Sequence, residues 1–284
     1  MCFTHDEGMA GKKMWKKKSV RSLVLYQFDW PCGVVQAIST RKGGLSEPPF
    51  DELNLGCHVG DDLERVYENR RRLSAALNLK SDRWITVNQV HGDRILWVGT
   101  GEDIDPAPGK GLPIMEADGL ATEQPGVPLV VFGADCGLLL FFDSKTRRIG
   151  AVHAGWRGTV NGLPQRMIEQ FVERGSRAED ILVGIGPCIG PCCYPVGEEV
   201  AEAFKTKWSF SEEVLGPPNE EGKRALDIKA AQRLQLLQAN VPDVNIQTMD
   251  LCTSCQSAEL YSYRRDSGKT GRQGAIIMMT ERAD

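Results

Sequence analysis

Two short motifs each end an apolar segment in a residue that can bind a metal or act as a nucleophile. Cys136 follows the apolar run in GADCG, and His153 follows the next one in AVHAGWRG. A third residue of this kind, His91, closes the segment TVNQVHG. Glycine lies within two positions of each residue, so the backbone can turn sharply there. Because strand ends of one sheet can bring distant residues together, we expect the three side chains to meet.

The residue types of this trio suit more than one chemistry. Two imidazoles and a thiolate are ligands that zinc favours, and three protein ligands with an open fourth position are typical of catalytic zinc. The same set surrounds copper in blue copper sites when a methionine lies on the axis. Alternatively, Cys136 is a nucleophile with His153 as its base, which leaves His91 without a role. A third alternative is a purely structural role, in which the cysteine packs in the core and the histidines make hydrogen bonds. The spacing matches no short metal motif, so the alternatives stay open at this point.

Five other cysteines lie in two loop-like segments. They are Cys252 and Cys255 in CTSC, and Cys188, Cys192 and Cys193 in GPCIGPCC. A structural zinc needs two such pairs, so it is possible only if the two loops meet. Packing thiols and a redox pair are the alternatives. Because the total of nine cysteines is odd and no secretion signal is present, we expect reduced thiols and a cytoplasmic protein.

Two glycine-rich segments resemble nucleotide-binding motifs without completing them. GIGPCIG has Ile189 where the dinucleotide motif needs its third glycine, and SGKTG follows Tyr263 where a P-loop needs its first. What remains is a set of cations on glycine-rich loops, and clustered guanidinium groups suit phosphate. These cations are Arg41 in STRKGG, Arg157 in GWRG, and Arg264, Arg265, Lys269 and Arg272 around SGKTG. Solvated surface charge is the alternative for each of them.

The composition is that of an ordinary globular chain. Its 284 residues are 41% hydrophobic and 25% charged, and the net charge of −4 indicates no general nucleic-acid surface. The best candidate for a membrane span, residues 128–142, is too short and is interrupted by polar residues and glycine. The lysine-rich segment KKMWKKK lacks the features of a signal peptide, so residues 1–20 are predicted to form a basic, disordered tail.

Hydrophobic periodicity predicts a domain over residues 21–284 that is rich in strands. Two hairpins are predicted, one from SLVLYQFDW and GVVQAIST and one from RWITVNQV and RILWVGT with His91 near its turn. A helix capped by Asp61 or Asp62 lies between them. Three buried strands follow, which are the segments VPLVVFGADC, LLLFFDS and RIGAVHAG. After them strands alternate with helices, and one of these helices is capped by Asp227. This order predicts an α+β fold with a mixed sheet in one domain.

A series of motifs in this chain resembles the laccase-domain, or polyphenol-oxidase-like, family of the YfiH/YlmD type. The motifs occupy residues 39–44, 54–56, 88–92, 117–120, 134–136, 152–158, 186–194, 250–255 and 262–273. The resemblance covers residues 23–280, and many long motifs in one order are far more specific than any single one. One departure is Pro195, which follows CCY where the family pattern has glutamate.

The resemblance implies a four-layer α/β/β/α domain with mixed sheets and a catalytic Zn²⁺ held by the residues that match His91, Cys136 and His153. It implies purine nucleoside phosphorylase activity on adenosine, inosine, guanosine or methylthioadenosine with phosphate, which yields the base and ribose-1-phosphate. It also implies adenosine deaminase activity in the same pocket. The family was earlier described as a copper-dependent polyphenol oxidase, so Cu²⁺ is the alternative metal. Some bacterial members are linked to peptidoglycan-precursor editing, which here would be a hydrolysis using Cys136 and His153.

The implied reactions assign provisional roles to individual residues. For deamination, a water activated by zinc attacks purine C6, and Asp135 or Asp118 is a candidate proton shuttle. For phosphorolysis, Arg41 is the first candidate for positioning phosphate, followed by Arg264 and Arg265. The expected partners are small purine nucleosides and phosphate, with no nucleic acid and no membrane. The sequence leaves the oligomeric state open.

Overall fold

A computed structural model describes residues 14–79, 84–99 and 115–281. Its strands are β1 (Trp15–Val20), β2 (Leu23–Phe28), β3 (Val34–Ser39), β4 (Ile95–Val98), β5 (Gly119–Thr122), β6 (Leu129–Gly133), β7 (Gly137–Asp143), β8 (Arg148–Ala154), β9 (Ile181–Ile185), β10 (Pro195–Val196), β11 (Leu215–Pro218), β12 (Arg224–Leu226), β13 (Ile246–Thr248) and β14 (Gln273–Met279). Its α-helices are α1 (Leu63–Ala76), α2 (Trp156–Val160), α3 (Leu163–Glu173), α4 (Glu198–Lys207), α5 (Ser211–Val214) and α6 (Ile228–Gln238).

The strands form two large sheets and a small one. The first large sheet has the order β1-β2-β3-β14-β6 and is antiparallel throughout. The second has the order β13-β9-β7-β8-β5-β4 and is mixed, because β13 runs parallel to β9 and β4 runs parallel to β5. The small sheet has the order β10-β12-β11. Of the two large sheets, therefore, only the six-stranded one is mixed.

Side-chain alternation along the central strands produces four layers. In β7, Leu138 and Leu140 face the core between the two large sheets, whereas Leu139 and Phe141 face α3 and α6. In β14, Ala275 and Ile277 point into the same central core, and Ile276 lies in the cluster with Leu73 of α1. Successive side chains of a strand point to opposite faces, so each sheet buries both. The expected α+β, single-domain α/β/β/α architecture is confirmed.

Helix capping follows the predicted positions. The Asp62 carboxylate accepts hydrogen bonds from the backbone N–H groups of Glu64 and Arg65, at 2.9 and 3.3 Å, at the start of α1. Asp227 accepts one from the N–H of Ala230, at 3.0 Å, at the start of α6. Each carboxylate satisfies N–H groups that have no partner inside the helix. No helix in the described ranges has the length and apolarity that crossing a bilayer would need.

Two predicted segments differ in the structure. The predicted second hairpin is wrong: residues 84–90 make only isolated bridges, and β4 pairs in parallel with β5 instead. Part of the predicted tail is a strand, since β1 pairs with β2 along its whole length and Trp15 packs edge-to-face on Tyr26 with ring centroids 5.5 Å apart. The lysines of β1 are exposed on this sheet edge, where charge discourages pairing with other chains. Glycine and proline in residues 101–113 predict an exposed loop, but this segment lies outside the described residues, as do residues 1–13 of the predicted tail.

Candidate active site

Strand pairing brings the three sequence-predicted donors together. Cys136 directly precedes β7, and Gly137 at the start of that strand pairs with Ala154, the neighbour of His153 in β8. His91 comes from the loop before β4. The donor atoms of His91, Cys136 and His153 all lie within 4.8 Å of one another. The two imidazole rings are nearly perpendicular, with centroids 4.9 Å apart. These separations suit ligands that converge on one ion.

Asp118 fixes the orientation of both histidines. This fully buried residue precedes β5 and lies beside His153 because β5 pairs with β8. Its Oδ1 accepts hydrogen bonds from Nδ1 of His153 at 2.8 Å and from the backbone N–H of His91 at 3.1 Å. Its Oδ2 accepts from the N–H groups of Gly92 at 2.6 Å and Val90 at 3.2 Å. Because Nδ1 of His153 is used in this way, Nε2 is left to face a metal.

Gly155 leaves open the space in front of the trio. A Cβ atom at this position would lie 2.9 Å from Sγ of Cys136 and 3.3 Å from Cδ2 of His91. Any side chain here would therefore occupy the volume between the donors. The residues fit a metal ion with three protein ligands and one open position, which is the arrangement of a catalytic site. This explains why the sequence places a glycine two residues after His153.

The charges in the trio support one another. Burial alone disfavours the thiolate of Cys136, but the charge of His153 and hydrogen bonds from both imidazoles outweigh it and lower the pKa of this thiol. Burial likewise opposes the imidazolium of His153, but the Cys136 thiolate and the Asp118 carboxylate outweigh it and raise the pKa of that ring. Without a metal, the pair is therefore a thiolate and an imidazolium. A thiolate is the form of cysteine that binds metals.

The trio opens into a cavity of about 600 Å³ with a cationic lining. This volume is in the range of small-molecule sites. Its arginines are Arg70, Arg157, Arg264 and Arg272. Among the described residues that line it, Asp135 is the only carboxylate. An anionic ligand therefore meets a surplus of positive charge.

These arginines differ in how much of their hydrogen-bonding capacity remains free. Arg70 donates twice to the carbonyl of Leu55, and Arg272 donates to the carbonyls of Thr270 and Gly271. Arg264 donates only weakly to the carbonyl of Pro195, at 3.3 Å. The remaining one, Arg157, is exposed and stacks on the ring of Trp156 at 4.4 Å from its centroid, and no hydrogen bond ties its guanidinium to the described residues. Arg157 and Arg264 thus keep most of their donors for a ligand.

Two arginines expected to bind phosphate are committed elsewhere. Arg41 makes a 3.0 Å ion pair with Asp51, donates to the carbonyl of Ser257 and lies over the ring of Tyr261. Arg265 pairs with Asp266 and donates to the carbonyls of Thr253, Ser254 and Leu260. Both side chains brace loops, and neither lines the cavity.

The two aspartates considered as proton shuttles also differ in position. Asp135, with a positive φ of 90°, lines the cavity; its Oδ1 accepts from the hydroxyl of Thr253 at 2.5 Å and its Oδ2 from the N–H of Arg264 at 2.6 Å. Asp118 lies behind His153, does not line the cavity and so cannot reach a ligand there. It acts on the site through the histidines.

Sequence reasoning missed His58 and Arg70. Both line the cavity, although they come from the loop and the helix that follow LNLG. Burial, together with the charges of Arg272 and Arg70, lowers the pKa of His58, so its ring is neutral and can accept a proton. The available signal was that His58, one of only four histidines in the sequence, closely follows the motif at residues 54–56.

The state of the cysteines agrees in part with expectation. Free thiols are present at Cys57, Cys136, Cys188, Cys192, Cys193, Cys252 and Cys255. Cys32 is disulfide-bonded, so the expectation that the thiols are reduced fails at this position.

Comparison with known proteins gives consistent matches over most of the chain. Residues 35–280 match the family model described as multi-copper polyphenol oxidoreductase laccase. A protein of Geobacillus stearothermophilus named purine nucleoside phosphorylase YlmD is 40% identical over 86% of this chain and 90% of its own. A Deinococcus radiodurans protein named purine nucleoside phosphorylase is 41% identical over 88% of this chain and 90% of its own. The crystal structure of Bacillus licheniformis hypothetical protein YfiH superimposes with a TM-score of 0.83 at 34% identity, covering 93% of this chain and 99% of that one.

Proposed function

The chain belongs to the multi-copper polyphenol oxidoreductase laccase family, and from this membership we propose that it is a zinc-dependent purine nucleoside phosphorylase. Its substrates are adenosine, inosine, guanosine or methylthioadenosine together with phosphate. The products are the free base and ribose-1-phosphate. The observation that carries the proposal is the position of the His91, Cys136 and His153 trio in a cavity that holds two largely uncommitted guanidinium groups.

Zinc suits the donor set better than copper. A blue copper site adds a weak axial ligand, usually methionine, to two histidines and a cysteine. No methionine is found among the described residues that line the cavity. Zinc needs no such ligand and tolerates a fourth position that a water or substrate occupies. When bound, zinc supplies a Lewis acid beside the substrate.

Phosphate is the ligand that Arg157 and Arg264 suit best. A guanidinium group pairs with phosphate oxygens in a planar, bidentate geometry. Both side chains lie over aromatic rings, Trp156 for Arg157 and Tyr194 for Arg264, which hold the guanidinium planes without using up the N–H donors. By holding phosphate beside C1′ of the nucleoside, the two arginines lower the entropic cost of the attack. The phosphate role considered for Arg41 is the weaker alternative, because its guanidinium already binds Asp51.

The purine has aromatic surfaces to stack on. Tyr263 is 55% exposed, an unusual value for a large aromatic side chain, and it lines the cavity. A base stacked on an aromatic ring gains about 1–3 kcal/mol. As the glycosidic bond breaks, negative charge develops on the purine, and a group that donates a proton or hydrogen bond to it helps the base to leave.

Adenosine deaminase activity is the second part of the proposal. Two groups of the cavity that can accept a proton favour it: the neutral imidazole of His58 and the carboxylate of Asp135. Removal of the amino group from C6 requires one group that takes a proton from water and passes it to the leaving ammonia. Asp118 does not serve here, since it lies behind His153.

The decisive experiment is nucleoside turnover by purified protein of measured metal content. Inosine with phosphate should yield hypoxanthine and ribose-1-phosphate, and adenosine without phosphate should yield inosine. His91→Ala, Cys136→Ala and His153→Ala should each abolish both reactions, and full phosphorolysis by all three variants would refute the metal mechanism. A polyphenol oxidase would instead oxidise phenols and show a blue absorption band with copper. An editing hydrolase that uses Cys136 and His153 would survive chelation and be inactivated by thiol alkylation.

A further inference from the structure

A second cluster of metal-binding side chains lies outside the trio. The Sγ atoms of Cys192, Cys193, Cys252 and Cys255 all lie within 4.8 Å of one another. The separation is 3.6 Å between Cys192 and Cys255 and 3.5 Å between Cys193 and Cys255. Four thiols therefore converge on one point, although they come from segments about sixty residues apart in the chain.

These distances match a tetrahedral metal site. Zinc–sulfur bonds of about 2.3 Å at tetrahedral angles place sulfur atoms about 3.8 Å apart. A disulfide needs a separation of about 2.05 Å and joins only two of the four. Contacts between uncharged thiols are weak hydrogen bonds, whereas four thiolates around one divalent cation are held by four metal–sulfur bonds.

The backbone brings the two cysteine loops together. Cys188 and Cys252 form a parallel bridge, and the N–H of Thr253 donates to the carbonyl of Cys188 at 3.2 Å. The N–H of Gly190 donates to Sγ of Cys252 at 3.2 Å. An N–H group that donates to a sulfur atom in this way holds a metal-binding thiolate in its orientation. Gly190 allows the close approach, because a Cβ there would lie 3.3 Å from Sγ of Cys192.

From this geometry we propose that Cys192, Cys193, Cys252 and Cys255 form a structural zinc site with four thiolate ligands. The ion replaces the four thiol protons, and four protein ligands leave no position open for a substrate. The guanidinium of Arg265, which is paired with Asp266, donates to the carbonyls of Thr253 and Ser254 and so holds the CTSC turn in place.

The site braces one wall of the catalytic cavity. Tyr194, which lines the cavity, directly follows Cys193. Thr253, inside the CTSC turn, donates its hydroxyl hydrogen to Asp135, the neighbour of Cys136. The zinc joins these two loops at the surface of the protein, where Cys192 and Cys255 are exposed.

The first test is the zinc content of the purified protein, measured by mass spectrometry. Wild type should bind two zinc ions per chain. The double variant Cys252→Ser/Cys255→Ser should bind one zinc ion, the one at the trio. Cys136→Ser should also bind one zinc ion, the one at the four-cysteine site. Cys188→Ala is the matched control and should bind two, since its thiol lies in the same loop but outside the cluster. Unchanged zinc content in the double variant would overturn the proposal, whatever the trio does.

A second test needs no variant. Because Cys192 and Cys255 are exposed, burial cannot protect their thiols from an alkylating reagent. In zinc-loaded wild type they should react slowly, and a chelator should speed their modification at least ten-fold. Rapid alkylation with zinc present would overturn the proposal. So would slow alkylation relieved by a reductant and not by a chelator, which would identify a disulfide.

Discussion

Replacing Asp118 by asparagine should weaken metal binding at the trio and destabilise the fold together. The carboxylate accepts four hydrogen bonds, two on each oxygen. Its pKa is lowered, because the His153 charge and the backbone N–H groups outweigh burial, so it is ionised at neutral pH. Asparagine has almost the same shape, but one of its two terminal atoms is a donor. Two of the four donors therefore lose their acceptor.

Either orientation of the amide is harmful. With its NH₂ group at the Oδ2 position, the N–H groups of Val90 and Gly92 lose their acceptor and face a donor in a part-buried loop. An unpaired group costs about 1–3 kcal/mol when it is fully buried, so for these two part-buried groups together the free energy of unfolding falls by about 1–3 kcal/mol. With the NH₂ group at the Oδ1 position, Nδ1 of His153 must become an acceptor. The ring proton then moves to Nε2, the nitrogen that faces the metal.

The assay is zinc affinity by competition with a chromophoric chelator, alongside denaturant unfolding of the metal-free protein. Loss of a side chain that hydrogen-bonds to a metal ligand costs about 10- to 100-fold in metal affinity. Asp143→Asn is the matched control, since Asp143 is also fully buried and accepts from Lys145 and Thr146 at the far end of β7. The control should lose stability and keep zinc affinity. If Asp118→Asn binds zinc as tightly as wild type does, the positioning argument is wrong.

Three further outcomes follow from the site. Gly155→Ala should lose most zinc at the trio while remaining folded, because the added Cβ would lie 2.9 Å from Sγ of Cys136. The control Gly197→Ala should bind zinc normally, because no atom lies within 4 Å of the new Cβ, and equal zinc binding by both variants would contradict this account. In metal-free protein, the Cys136 thiolate should absorb at neutral pH and lose this absorbance as the pH falls through about 6, the lowered pKa of its thiol; Cys136→Ser identifies the signal by removing it. A midpoint near the usual value of about 8.5 would count against the ion pair with His153. Arg157→Ala should raise the KM for phosphate about 10- to 100-fold through loss of about 1.5–3 kcal/mol of charge-assisted hydrogen bonding. Arg174→Ala removes a guanidinium that is stacked on a tryptophan outside the cavity and should leave this KM unchanged; equal effects of the two variants would show that Arg157 does not bind phosphate.

The donor trio was predictable because its positions are set by local signals. Cys136 and His153 stand at ends of strongly apolar strands beside glycine, and antiparallel pairing of such strands places their ends together. His91 was predicted for the wrong local reason. The expected hairpin does not exist, and His91 reaches the site because Asp118 binds the backbone of its loop. No periodicity in the sequence reports a hydrogen bond of that kind.

The cationic residues of the cavity were harder to predict. Arg41 and Arg157 both lie on glycine-rich loops, and nothing local distinguishes them. Arg41 is committed because its loop passes Asp51 and Tyr261, whereas α2 holds Arg157 at the cavity mouth. These differences depend on contacts between segments far apart in the chain. The sequence therefore identifies arginines on loops as candidates for phosphate binding, but it does not show which of them faces the cavity.

The register between β7 and β8 has a consequence for how the protein matures. Gly137 pairs with Ala154, so a slip of one residue would turn the side chain of His153 to the opposite face of the sheet. A metal ion at the trio can thus bind only chains whose central strands have already paired correctly. Metal uptake during synthesis would select the native register, and the metal bound at the trio would report the fraction of molecules in which these two strands paired correctly.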